Sequence, residues 1–289
     1  SRSGININNN FQYLYAFGHF RYKRYFYGYL YPRIVDNPEM VPRFSGIPRD
    51  IDRGGFTSGE TDLSGIGFEN QWVAFQIGRG RESWGAGNGI KIALNEMSPA
   101  YDYFMLSSNY GKFGVKYFHG FLESTIENIN RYITGRGFEW NNKEWLILAF
   151  SEVVIYSGYM RSLDFGYLNP ISTHLEIELN NRLNRKNNSN ANAIWQISTD
   201  LLLRKSIRFS GNLIIDEYVI DQEQISYGKE HGFGYSYKLA YTPFKTQNRI
   251  VTLYLSNLKI GTPTFRHGNG MNNFVVRNKP IGSINGSDL

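Results

Sequence analysis

The chain has 289 residues, no cysteine, and a net charge of +6 that is spread along it rather than gathered into a basic arm or helix face. The first absence removes disulfides, thiolate metal sites and cysteine nucleophiles and suits a bacterial envelope protein; the diffuse charge argues against nucleic acid as a partner. No window of about eighteen apolar residues exists, which excludes a transmembrane helix, and a negative mean hydropathy does not count against crossing by strands, because alternate residues of a barrel strand face water.

Alternation begins early. Phe11, Tyr13, Tyr15 and Phe17, then Tyr25, Tyr27, Tyr29 and Tyr31, fall at every second position. This predicts strands over 11–17 and 20–31 joined tightly at Gly18-His19. Residues 32–67 carry Pro32, Pro38, Pro42 and Pro48 and no sustained period, which predicts a long loop or a plug segment. Its Arg49, Asp50, Ile51, Asp52, Arg53 run suits a wet lumen and would be costly in lipid.

Strand patterning returns at Phe68 and continues almost to the end. Segments 72–78, 90–94, 101–107, 111–122, 132–140, 144–150, 153–159, 174–181, 193–205, 206–219, 232–242 and 249–258 read as strands. Turn-forming residues separate them at Asn141-Asn142, 184–192, 221–229 and 243–248. With 21 tyrosines and 20 phenylalanines to supply interface rings, the pattern predicts an all-β protein. The expected architecture is a large transmembrane antiparallel β-barrel of the outer-membrane type, one domain over 1–289, with roughly a dozen to sixteen strands. A soluble all-β protein with an aromatic core is the competing architecture. The start at Ser1, without methionine or signal peptide, suggests a mature exported chain, and the last residues, Ser283 to Leu289, read as a turn ahead of another strand. An open sheet edge in lipid costs several kcal/mol per unpaired backbone group, so missing residues, a partner chain or another mode of closure is expected.

Three motifs carry chemistry. The densest spans 78–89 and sets Arg79, Arg81, Glu82, Trp84 and Asn88 among glycines. No helix pattern follows it, so it is not a phosphate cradle. A tryptophan beside arginine and asparagine suits a sugar, by ring stacking and polar contacts; a glycine-kinked strand with an interface tryptophan explains it equally well. The second motif is Glu152-Val153-Val154-Ile155-Tyr156 with Tyr167-Leu168-Asn169-Pro170 and His174-Leu175-Glu176, and the third is Asp200 followed by Asp216-Glu217.

In this order, over about residues 68–244, these motifs resemble the Wzi capsule-assembly family, particularly its RemB-like relatives in Bacteroidetes. The resemblance implies a Gram-negative outer-membrane barrel that acts as a surface lectin for capsular or exopolysaccharide, without catalysis and without cofactor. It implies as partners surface polysaccharide, outer-membrane lipid and other envelope proteins. Arg79, Arg81, Glu82, Trp84, Asn88, Glu152, Asn169, Glu176, Asp216 and Glu217 are the expected glycan-contacting or lumen-lining polar residues. For Glu152, Glu176, Asp216 and Glu217, pairing with arginines to brace the wall is the stronger expectation.

An enzyme is not expected. The histidines at 19, 119, 174, 231 and 267 form no hydrolytic or metalloprotease motif. Glu152 and Glu176 on neighbouring strands would be the pair available for glycoside hydrolysis. Asp50-Ile51-Asp52 and Asp216-Glu217 lack calcium-loop spacing, and no metal is expected. A selective channel and a structural subunit of an envelope or gliding-motility complex are the alternatives to the lectin.

Overall fold

The structure is a computed structural model that describes residues 2–8, 11–41, 43–49, 54–86, 90–183, 191–217, 231–246 and 249–283. Thirteen strands form one antiparallel sheet in which each strand pairs with the next in sequence. They are β1 (Arg2–Asn8), β2 (Phe11–Tyr22), β3 (Phe26–Val35), β4 (Ser58–Glu69), β5 (Val73–Gly80), β6 (Tyr101–Tyr110), β7 (Phe113–Ser124), β8 (Ile129–Asn141), β9 (Leu146–Tyr159), β10 (Ala191–Leu203), β11 (Ile207–Glu217), β12 (Gly232–Lys245) and β13 (Ile250–Ile260). The all-β antiparallel expectation therefore holds. Among the described residues no ladder joins β1 to β13. Because direction alternates along the sheet, those two strands run the same way, and a direct seam between them would be parallel.

Several predicted boundaries move, each for an identifiable reason. The β2–β3 hairpin turns at Lys23-Arg24, with φ of 49° and 65°, and not at Gly18-His19, which lies inside β2. Two successive left-handed residues fit the right-handed twist of the flanking strands, and neither Lys nor Arg advertises that turn in sequence. The plug segment of 32–67 shrinks to 36–57, because Pro32 is accommodated inside β3 at a register shift against β4. Residues 90–94 form no strand and make a single bridge, Trp84 to Leu94. The two strands predicted over 144–159 are one, β9. The charged run at 50–53, most of the turn segments at 184–192 and 221–229, and the last residues from 284 onward lie outside the described residues.

The largest correction is at 165–179, where a strand was expected over 174–181 and two short helices occur, α1 (Phe165–Leu168) and α2 (His174–Leu179). Thr173 caps α2 by accepting the Glu176 backbone N–H at 3.3 Å, the spacing of a capping box.

The two faces of the sheet differ sharply. On the outer face one cross-strand row runs Val115, Phe138, Phe150, Ile197, Leu213, Tyr235 from β7 to β12, and all six side chains are exposed. Leu239 on β12 and Leu30, Ile66, Ile77 and Leu253 on β3, β4, β5 and β13 extend this apolar surface. In water each such side chain forgoes about 1.5–3 kcal/mol of burial. The inner face of β6 to β11 is covered by chain. The β5–β6 connection and the segment after β13 pack Ile92, Leu94, Phe265, Phe274 and Ile281 against Phe118, Ile133, Val153, Ile155, Ile194 and Ile214 of the strands.

The two rims also differ. The connections after β3, β5 and β9 are long, though β7–β8 on the same rim is a short turn, whereas β2–β3, β4–β5, β6–β7, β8–β9, β10–β11 and β12–β13 are all joined by short turns at the opposite rim.

Candidate functional site

The covering segments are held by polar side chains of the inner face. Gln196 on β10 accepts the Ala93 backbone N–H at 3.0 Å and donates to the Trp84 carbonyl at 3.1 Å. Asn212 on β11 and Ser236 on β12 both donate to the Ile90 carbonyl, at 2.9 and 3.0 Å. Arg131 on β8 donates to the carbonyls of Met271, Asn273 and Val275, and pairs with Glu123. Segment and tail are joined to each other by Asn95, whose amide donates to the Ser283 hydroxyl and whose backbone N–H donates to the Ile281 carbonyl at 3.1 Å. An irregular backbone inside a barrel must have its polar groups satisfied, and these side chains do so.

Between the β5–β6 segment and the strands β6 to β10 lies a cavity of about 370 Å³. Trp84, Ser107, Asn109, Lys116, Glu139 and Ser151 contribute to its wall. Its edge is set by a charged knot. The Glu82 carboxylate accepts the Trp84 indole N–H at 3.0 Å and pairs with Lys116, whose ammonium lies 5.6 Å from the indole ring centre. Trp84 is buried and meets Phe118 edge-on at 5.3 Å. Lys91, in the same segment, donates to the Gly85 carbonyl, and burial pushes its ammonium below the usual lysine range. The cavity thus offers hydroxyls, an amide, the Lys116 ammonium and the Glu139 carboxylate beside an aromatic edge. That is a donor and acceptor set suited to a polyhydroxylated ligand.

The residues singled out in the sequence do not form one site. Trp84 lines this cavity, and Glu82 borders it through its contacts with Trp84 and Lys116. Arg79 lies on the outer face of β5, donating to the Thr61 carbonyl at 2.9 Å and to Asp102 at 3.1 Å, and Arg81 pairs with buried Asp62. Arg79 also lines a second cavity, of about 840 Å³, with Glu60, Glu123, Arg277 and Lys279. Glu152, expected in the lumen, is on the outer face of β9. It is buried there beneath α2, accepting from the His174 N–H at 3.1 Å and the Trp195 indole N–H at 2.8 Å, with the Arg136 guanidinium at 3.2 Å.

Asn169 caps the end of α1 and lends its carbonyl to Arg136 at 3.2 Å. Glu176 is on the exposed side of α2, paired with Arg182 at 2.6 Å, so Glu152 and Glu176 are not a pair on neighbouring strands. Asp216, on the inner face of β11, accepts the Phe265 backbone N–H and so pins the tail. Glu217 stands opposite Gly232 at a bulge. Asn88 lies outside the described residues.

Sequence reasoning missed Ser107, Asn109, Lys116, Glu139 and Ser151. Their signal was register: each shares the inward parity of its strand, which is readable only once the turns are placed.

No family model matches the chain, and no curated protein matches it. Among solved structures it is similar to OccK10 (OpdN) of Pseudomonas aeruginosa, at 12% identity and a TM-score of 0.27, covering 89% of this chain and 86% of that one. It is similar also to a BenF-like porin from Pseudomonas fluorescens Pf-5, at 8% identity and a TM-score of 0.26, covering 90% of this chain and 84% of that one. Likenesses at these scores carry no weight for the function of this chain.

Proposed function

We propose that the protein is an outer-membrane β-barrel whose occluded interior holds surface polysaccharide without transforming it, the lectin-like activity that the Wzi resemblance implies. Membrane placement is supported by the exposed outer row from Val115 to Tyr235, which fits acyl chains and not water, and by the contrast between short turns at one rim and long segments at the other.

The observation that carries the binding role is the packing of the β5–β6 segment and the tail across the inner face of β6 to β11, beside which lies a polar cavity. A non-catalytic role fits the engagement of the candidate carboxylates: Glu82 with Trp84 and Lys116, Glu152 with Arg136, Trp195 and α2, Glu176 with Arg182.

The test joins two measurements on purified, folded protein. Ala149 of β9 also lines the cavity. Saturable binding of the producing cell's polysaccharide, lost on Ala149→Phe and weakened on Asn109→Ala, together with negligible conductance in a planar bilayer, is the expected result. Steady conductance without polysaccharide binding would replace the lectin by a channel.

A further inference from the structure

The α1–α2 segment raises a question that the polysaccharide role leaves open. It packs on the outer face, not the inner one. Tyr167 and Ile177 of the helices, with Leu183, bury Tyr132, Val154, Tyr156 and Ala191, which carry the outward parity of β8, β9 and β10. On the same strands, further from that rim, Phe138, Phe150 and Ile197 of identical parity are exposed. The segment therefore stands where the apolar surface would otherwise continue.

What it covers explains why it is needed. Beneath it the outer face is polar: Tyr117, His119, Arg136 and Glu152 are all buried. Tyr117 and Tyr156 hydrogen-bond the two His119 ring nitrogens at 3.2 and 2.8 Å, and Tyr117 also donates to the Tyr167 carbonyl at 2.9 Å. Facing acyl chains directly, the Arg136–Glu152 pair and this histidine would be heavily penalised.

The segment's own exterior is apolar in turn. Phe165, Ile171, Leu175 and Leu179 are exposed, with Leu175 and Leu179 one turn apart on α2. The carboxylates beside them are engaged, Glu176 with Arg182 at 2.6 Å and Glu178 with the His174 ring at 3.4 Å. A connection that faced water would have no reason to show four large apolar side chains among carboxylates that are already engaged.

We infer that α1–α2 is a membrane-embedded cap, whose exposed apolar side chains lie in the lipid at the boundary of headgroups and acyl chains and carry the apolar surface of the barrel over its polar patch. The occupant of this surface is lipid, as the continuity with the exposed row of Phe138, Phe150 and Ile197 requires. The inference rests on the membrane reading above.

Absence of native cysteine makes the test clean. Spin labels are placed singly at Leu179→Cys and Phe165→Cys on the cap, at Leu213→Cys on the outer row, and at Arg204→Cys in a short turn, each variant reconstituted in phospholipid vesicles after its circular dichroism matches the parent. Accessibility to oxygen, which concentrates in lipid, is compared with accessibility to a water-soluble nickel chelate. The cap labels are expected to follow Leu213→Cys, favouring oxygen, and to differ from Arg204→Cys. If the cap labels follow Arg204→Cys while Leu213→Cys favours oxygen, the cap is in water and the inference is overturned, though the membrane reading stands. If Leu213→Cys also favours the nickel chelate, the membrane reading fails and the cap inference with it.

Discussion

The Glu152 carboxylate accepts the His174 backbone N–H at 3.1 Å through both oxygens, tying the start of α2 to the outer face of β9. The same carboxylate offsets the buried Arg136 guanidinium at 3.2 Å. Removing one member of a buried ion pair leaves the other uncompensated, at about 3–5 kcal/mol. Glu152→Ala is expected to lose that much stability and to release the cap, seen as faster tryptic cleavage after Arg161 and Arg182. Equal cleavage of variant and parent would show that the cap is held by its apolar contacts alone.

Gly78 on β5 leaves no room for a side chain, since a Cβ there would stand 2.2 Å from the Ser64 carbonyl oxygen and 2.6 Å from the Gly65 Cα. Backbone, not a flexible side chain, would have to yield, so Gly78→Ala should break the β4–β5 ladder and cost at least about 1–3 kcal/mol. At Gly18 a Cβ meets nothing within 4 Å. Gly18→Ala should therefore stay within about 0.5 kcal/mol of the parent. Thermal unfolding of the two variants side by side checks the contrast.

Arg131 is the main polar anchor of the tail, bonded to three of its carbonyls. Arg131→Ala should free the tail from the inner face, raising bilayer conductance above that of the parent and exposing Arg266 and Arg277 to trypsin. Unchanged conductance would show that the β5–β6 segment closes the interior without help from the tail.

The carboxyls of α2 give the cap a pH dependence. Hydrogen bonds from Arg182 hold Glu176 below its ordinary value of 4.5, and a hydrogen bond with His174 does the same for Glu178. Groups lowered in the folded state stabilise it above their ordinary value, and that contribution fades as pH falls through the lowered values. Amide exchange across α2 should thus show steady protection from pH 7 to about 5 and a loss below about 4.5, once intrinsic exchange rates are corrected. Glu176→Gln is expected to flatten part of this profile.

Much of the wall was legible in the sequence, because a two-faced strand writes its period directly. In β12 the series Tyr235, Tyr237, Leu239 and Tyr241 occupies the exposed face as its alternation requires. The turns were harder. Lys23-Arg24 and Arg204-Lys205 both adopt left-handed backbone without the glycine or asparagine that marks such turns. The helices were misread because α2 is too short for helical periodicity to outweigh a few alternating residues, even though Thr173 and Glu176 carried a capping signal.

The antiparallel all-β character and the two unlike faces of the strands could be read from the chain alone, since both follow from local period and side-chain type. It took the folded chain to show that Glu82 and Trp84 stand at a cavity with Asn109, Lys116 and Ser151, that Glu152 faces outward beneath a helical cap, and that the tail lies across the inner face. Those outcomes depend on strand register and on where long connections fold back. A bond such as that between Ala93 and Gln196 joins residues 103 positions apart, and contacts of that span leave no local pattern in the chain.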